Sequence, residues 1–252
     1  MLLVEDHTQL AVPIVRELEQ EYGHDVTWAR DPLEAAERLS TSTFDVAVVD
    51  MLYEHLTREF DRRRLSREVS LGADRLLITG LYAVAAFRRT RACGGIVMWT
   101  SGEANRRLHL LFAHESLGVR AFCSKSAGTG RADVLAATIA AAHEDDARVD
   151  PVLNAYLPAL GSPEIGATLL RDARTRAIWR ALALGHHTRD EIAAVTGYAE
   201  RSIGNVTRAM LDGLVELDPG LRPGRRPLPE LVSFASRNWE FFLDEAVRAG
   251  QA

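Results

Sequence analysis

The sequence predicts an α/β fold, a doubly wound sheet of five parallel strands, followed by an all-α domain. Two observations carry this. Through residue 146, short apolar runs alternate with amphipathic helical patterns, as βαβ units require. The acidic Glu144-Asp145-Asp146 and the turn-prone Asp150-Pro151 then break the rhythm, and from Arg171 onward only helical periodicity remains. The expected organisation is an α/β domain over 1–146, a linker over 147–170 and a helical domain over 171–252. The linker is marked by Pro151, Pro158, Gly161, Pro163 and Gly166. A length of 252 residues suits two ordinary domains.

Met1 to Val4 reads as a buried strand, and Leu10 to Tyr22 as a helix with Val12, Val15 and Leu18 inward. Asp25 to Trp28 is a weak strand, followed by a helix over Leu33 to Leu39. Phe44 to Val49 is the strongest strand, ending at Asp50. Helices over Leu81 to Arg89, Asn105 to Glu115 and Ala132 to His143 enclose strands at Gly95 to Thr100 and Val119 to Cys123. One stretch departs from this pattern. A βα loop normally takes about 2–6 residues, yet an insertion spans about 52–79. Its segment Leu56 to Val69 is dense in Arg, Glu and Asp, reads as a solvated helix, and should add little to the core of the α/β domain.

Hydrophobic residues at 47% and charged residues at 26% give a chain that can bury a full core, which argues against disorder, collagen and disulfide scaffolds. Thirty Lys+Arg against 35 Asp+Glu leaves −5, excluding a protein that coats nucleic acid by bulk charge but not a local basic face. No apolar run approaches the ~18 residues of a membrane span, and the first residues lack the basic flank of a signal peptide. With only Cys93 and Cys123, a soluble cytoplasmic protein is expected. Of all Lys and Arg side chains, one alone is Lys, Lys125. In so Arg-biased a chain, a lone ammonium marks a position where a compact point charge is needed and a planar fork does not serve.

Parallel strands bring their carboxyl ends to one edge, where such sheets bind ligands. Glu5 and Asp6 follow the first strand, Asp50 ends the third, Thr100 and Ser101 end the fourth, and Lys125 follows the fifth. Converging carboxylates need a cation, and oxygen donors with water suit Mg²⁺. Acids, hydroxyl and ammonium on one rim fit a phosphoryl group carried on a carboxylate.

These residues resemble the receiver domain of two-component response regulators, a flavodoxin-like fold. Leu3-Val4-Glu5-Asp6-His7 is similar to that family's opening, Phe44 to Asp50 to its strand bearing the phospho-acceptor, Trp99-Thr100-Ser101 to its hydroxyl position, and Phe122-Cys123-Ser124-Lys125-Ser126 to its aromatic and Lys. The resemblance implies phosphorylation of Asp50 by a histidine kinase or small phosphodonor, with Mg²⁺ held by Glu5, Asp6, Asp50 and the Leu52 carbonyl. It implies that Thr100 and Lys125 hold the phosphoryl oxygens and that Phe122 is the switch aromatic. The sequence departs from the family after Asp50, where the usual nearby Pro and Gly give way to the insertion and Gly80 arrives late. Two modes of control therefore stand open: phosphorylation, or a small molecule or partner without phosphotransfer. A phosphohydrolase using the same acids is the alternative of another class. His7 reads as a bystander and Cys123 as a buried strand residue.

In the helical half, Ile178 to Leu184 ends at Gly185, a C-cap candidate. Thr188 with Glu191 forms a capping box opening a helix that stops near Thr196-Gly197. The next helix begins near Ala199 or Glu200 and runs to about Leu211, giving a helix-turn-helix. Its Ile203, Val206 and Met210 fall on one side, and Arg201, Asn205 and Arg208 on the other. Arg pairs with guanine and Asn with adenine in the major groove. Residues Gly185 to Ala193 and Glu200 to Val206 resemble the NarL/LuxR-type helix-turn-helix. The resemblance implies a transcription factor and not an enzyme, bound to double-stranded promoter DNA as a homodimer through Arg201, Ser202, Asn205 and Arg208, with no membrane partner. Asn238 to Leu243 reads as a packing or dimer helix, and Met210 to Val215 is also reminiscent of winged-helix regulators.

Overall fold

The computed structural model describes residues 1–65, 79–90, 93–101, 106–125, 131–159, 161–217 and 226–249. The chain forms two compact units, one of Met1–Arg58 and Leu77–Leu157, the other of Glu59–Leu76 and Pro158–Ala252. The boundary at 157/158 falls inside the expected linker, and the later part of the insertion groups with the helical unit.

The α/β unit is a parallel sheet of β1 (Leu2–Val4), β2 (Thr27–Ala29), β3 (Phe44–Asp50), β4 (Cys93–Thr100), β5 (Ala121–Ser124) and β6 (Arg148–Val149), in the order β2-β1-β3-β4-β5-β6. The expected five strands become six. The two-residue β6 pairs only with Ala121 and Phe122, and two residues show no alternation that a sequence pattern could reveal. Helices α1 (Thr8–Gln20), α2 (Pro32–Thr41), α3 (Glu54–Leu65), α4 (Gly80–Thr90), α5 (Arg107–Glu115) and α6 (Arg131–His143) follow or connect the strands. One face of the sheet packs against α1 and α6. Leu3, Val46, Val48, Val97, Trp99 and Cys123 pack with Ile14 and Leu18 of α1 and Leu135 and Ile139 of α6. The sequence placed Val12 and Val15 inward on α1, but the buried stripe is Ala11, Ile14 and Leu18, and Val12 is 43% exposed. The helical period is as read; its phase is shifted by one residue.

Local chemistry sets the helix ends. Asp31 caps α2 by accepting from the backbone N–H groups of Leu33 and Glu34, with Pro32 at the first helical position. Gly80 opens α4 against the end of β3: a Cβ there would stand 2.0 Å from the Asp50 carbonyl oxygen, so only glycine fits. Within the long connection, Leu52 pairs antiparallel with Thr79, and the Gly80 N–H donates to the Met51 carbonyl at 2.9 Å. The excursion thus leaves and rejoins the sheet edge at one place. Residues 66–78 of the insertion lie outside the described residues.

The helical unit comprises α7 (Ile165–Thr168), α8 (Ala173–Ala183), α9 (Arg189–Thr196), α10 (Glu200–Leu217), α11 (Pro227–Arg237), α12 (Trp239–Leu243) and α13 (Glu245–Ala249). Its core is aromatic: Trp179 of α8 stacks on Phe242 at 4.4 Å and meets Phe234 at 5.7 Å, and its indole N–H donates to the Leu169 carbonyl. The tail from Asn238 to Leu243 is therefore a packing element. The wing suggested by the winged-helix likeness would fall near 218–225, outside the described residues. The charged insertion is not wholly solvated. Phe60 of α3 is 3% exposed and stacks on Trp239 at 5.4 Å. A single aromatic among many charges gives too little periodicity to announce a buried face.

Candidate functional site

The strand register fixes the first site. Val4 pairs with Val49, Asp50 with Trp99, and Thr100 with Ser124, so the residues after β1, at the end of β3 and after β5 share one edge. Glu5 and Asp50 are buried there, at 0% and 5% exposure. The Lys125 ammonium bridges them, 2.5 Å from Glu5 Oε2 and 2.6 Å from Asp50 Oδ1. It also stands 5.0 Å from the Trp99 ring centre, a cation–π placement. The Lys125 backbone N–H donates to the Thr100 carbonyl at 2.6 Å, which holds Lys125 beside buried Thr100. The lone lysine thus occupies the centre of the acidic set.

Asp50 carries the clearest electrostatic signature. Burial raises its carboxyl from the ordinary 3.8, Lys125 opposes the rise, the Glu5 charge adds to it, and the outcome is about 6. Its Oδ1 accepts the Met51 N–H at 2.7 Å, and the buried Tyr53 hydroxyl donates to its backbone carbonyl at 3.1 Å. Tyr53 itself is pushed well above its ordinary value by burial and by the neighbouring acids.

The start of the insertion forms the rest of the site. Asp6 Oδ2 accepts the Glu54 N–H at 2.8 Å and faces His55 Nδ1 at 3.1 Å. Asp6 Oδ1 is buried and has no hydrogen-bond partner; His7 Nδ1 stands 3.0 Å away but outside hydrogen-bond geometry. His7, expected to be a bystander, is engaged: Nδ1 lies 3.3 Å from Glu5 Oε1 and Nε2 3.2 Å from Glu54 Oε2. Burial lowers its basicity, but Asp6, Glu54 and Glu5 together outweigh that and raise it. Tyr53, Glu54 and His55 escaped the sequence reading. Their signal was only that an acid and an imidazole stand four and five residues past Asp50, where the insertion opens. Leu52 lies two residues past Asp50, paired with Thr79, and Phe122 is fully buried with its ring 6.2 Å from that of His114. Cys123 is a buried strand residue.

The second candidate site lies in the helical unit. Thr188 and Glu191 form the capping box at α9, the Thr188 hydroxyl accepting the Glu191 N–H and Glu191 accepting the Thr188 N–H at 3.1 Å. Gly197 ends α9 in the left-handed region at φ 74°, and α10 begins at Glu200. That helix runs to Leu217, beyond the expected Leu211, because Leu214 and Leu217 continue its buried stripe. Ile203 and Met210 are buried as expected, but Thr207 takes the place assigned to Val206, which is half-buried. Arg201, Asn205 and Arg208 are all exposed. Ser202 is half-buried, with its hydroxyl 3.4 Å from Arg174, whose guanidinium also covers Tyr198 at 5.0 Å.

No protein-family model matches the chain, and no curated protein sequence matches it. Solved structures do. RcsB dimers bound to two parallel DNAs are 14% identical, covering 94% of this chain and 95% of that one at a TM-score of 0.52. The chain has the fold of that response regulator. RcsB of Salmonella typhimurium is 16% identical over 92% of this chain and 97% of its own, with a TM-score of 0.47. The receiver domain of the Francisella response regulator 1452 is 16% identical over 57% of this chain and 95% of its own, with a TM-score of 0.40. Among the described residues, no helix is long and apolar enough to cross a membrane.

Proposed function

We propose that this chain is a DNA-binding response regulator, a transcription factor whose acidic pocket accepts a phosphoryl group on Asp50. The observation that carries this reading is the Lys125 ammonium set between buried Glu5 and Asp50 at the carboxyl edge of a parallel sheet. An Asp50 carboxylate oxygen attacks the phosphorus of a histidine kinase phosphoimidazole or of acetyl phosphate. The bond to the leaving imidazole or acetate breaks as the acyl phosphate forms. Thr100 and Lys125 then hold phosphoryl oxygens, Lys125 swinging on its flexible stem away from one carboxylate. Phe122 is the aromatic whose packing follows the state of the pocket.

The donor set fits Mg²⁺. Asp6 Oδ1 is a buried oxygen lacking a hydrogen bond, and Glu5, Asp6, Asp50 and the Leu52 carbonyl are hard oxygen donors. Bound there, Mg²⁺ would offset the charge of the incoming phosphoryl group. In the helical unit, Arg201 and Asn205 read base edges and Arg208 contacts phosphate, in a homodimer on paired half-sites. The DNA-bound RcsB structure, of the same fold, supports this half.

A second reading has its own observation. Asp6 is already engaged by the Glu54 N–H and His55, and Asp50 by Lys125, so the protein's own groups satisfy part of the pocket. That favours control by a small molecule or partner without phosphotransfer. Incubation with Mg²⁺ and acetyl phosphate, followed by intact-mass measurement, separates the two. One added phosphoryl group in the wild type and none in Asp50→Asn supports the first. An unmodified wild type refutes it and leaves the second.

A further inference from the structure

The helical unit carries a half-open cavity of about 350 Å³ that DNA reading does not use. Its lining is mixed: the stacked pair Trp179 and Phe242 and the partly exposed Val195 contribute apolar surface, and Arg176, Arg180 and Arg248 contribute cationic side chains. No Asp or Glu is among the described residues that line it. Arg180 is 3% exposed and donates to the Leu243 carbonyl at 3.3 Å. Arg248 pairs with Glu245 at 2.7 Å, and its side chain is 37% exposed. Arg176 donates from one Nη to the Leu170 carbonyl at 3.0 Å, while its Nε–H is buried with no hydrogen-bond partner. A buried donor left without an acceptor is unfavourable, and a ligand oxygen would satisfy it.

Cavities of this size with apolar walls and a few convergent polar groups are the usual form of small-molecule sites. Guanidinium recognises planar anions through paired N–H donors. With Arg248 already sharing Glu245, a singly charged head suits the site better than a phosphate dianion. We infer that this cavity binds a small amphiphilic carboxylate, its apolar body against Trp179 and Phe242 and its carboxylate on Arg176.

The position adds a consequence, which rests on the DNA-binding reading above. Val195 lies in the last turn of α9, two residues before Gly197 turns the chain toward α10. An occupant bearing on Val195 sets the turn that orients the exposed Arg201 and Asn205. Ligand in the helical unit then tunes DNA affinity independently of the acidic pocket.

Isothermal titration calorimetry of the full chain with octanoate and 3-phenylpropanoate, below micelle-forming concentrations, tests the site. At least one carboxylate should bind, with 1-octanol at least tenfold weaker than octanoate. Arg176→Gln should weaken carboxylate binding at least tenfold, and Val195→Trp, which fills the cavity, should abolish it with the far-UV circular dichroism unchanged. Heat from neither carboxylate, equal binding of 1-octanol, or undiminished binding by Val195→Trp would overturn the inference. Fluorescence anisotropy on a selected duplex then reads the consequence. A several-fold change in DNA affinity at saturating carboxylate supports it, and an unchanged affinity with calorimetric binding intact overturns that half. A ligand-free chain that binds no DNA refutes the DNA-binding reading instead, and the calorimetry still decides the cavity.

Discussion

Replacing Lys125 by Met probes the electrostatic centre of the α/β unit. The ammonium lies 2.5 Å and 2.6 Å from Glu5 and Asp50, its own side chain is 12% exposed, and both carboxylates are buried. Removing one partner of a buried charged cluster typically costs about 3–5 kcal/mol, because the remaining charges lose their compensation while staying desolvated. The cost depends on pH. Asp50 titrates near 6 in the fold against 3.8 ordinarily, so its proton stabilises the fold below about pH 4, and that stability is lost as pH rises through about 6. At ~1.4 kcal/mol per unit, the loss across this window is about 3 kcal/mol in magnesium-free buffer. Lys125 is the main influence lowering Asp50, so without it the folded-state value moves higher and the window extends upward. Lys125→Met should therefore be about 3–5 kcal/mol less stable than wild type at pH 8 and lose less than half of that at pH 5. Urea melts in EDTA, read by pulsed hydrogen exchange of the peptide covering Phe44–Asp50, report the α/β unit alone. An equal loss at both pH values, or a loss under about 1 kcal/mol at pH 8, would refute the argument.

Gly80→Ala should destabilise the same unit by about 3 kcal/mol, since its Cβ would meet the Asp50 carbonyl oxygen at 2.0 Å, and should also depress phosphoryl uptake; a wild-type urea midpoint would contradict this. Phe60→Ala should lower the stability of the helical unit by about 3 kcal/mol through loss of its stack on Trp239, visible as a lower thermal midpoint in calorimetry. A change below about 0.5 kcal/mol would restore the view of the insertion as a solvated helix. With Mg²⁺, beryllofluoride should shift the monomer–dimer balance of the wild type in sedimentation and leave Asp50→Asn unmoved.

The acidic site was legible because its chemistry sits at strand ends. Apolar runs such as Phe44 to Val49 announce a strand, and a parallel sheet sends every strand end to one edge, so Glu5, Asp6, Asp50, Thr100 and Lys125 followed from order alone. The capping box at Thr188 was equally plain, because the backbone groups it satisfies lie within four residues. What stayed hidden depends on long-range packing. The pairing of Leu52 with Thr79 brings the ends of a long excursion together, and only then do Glu54 and His55 reach Asp6. The phase of the α1 stripe likewise follows from which residues meet the sheet, and Ala11 and Val12 differ too little in the sequence to decide it. The arginine-lined cavity joins residues from 170 to 248, a spacing that forms no motif.

The central claim, that α10 reads DNA, is tested most directly by binding of wild type, Arg201→Ala, Asn205→Ala and Arg208→Ala to a selected duplex and to random DNA at several salt concentrations. All three side chains are exposed, so their loss should leave the fold intact. Arg201→Ala and Asn205→Ala should each cost roughly 1–3 kcal/mol on the selected site and relax preference at one position per half-site, while Arg208→Ala should weaken both duplexes alike and reduce the salt slope by about one. Wild-type binding of both DNAs by all three variants would contradict the account.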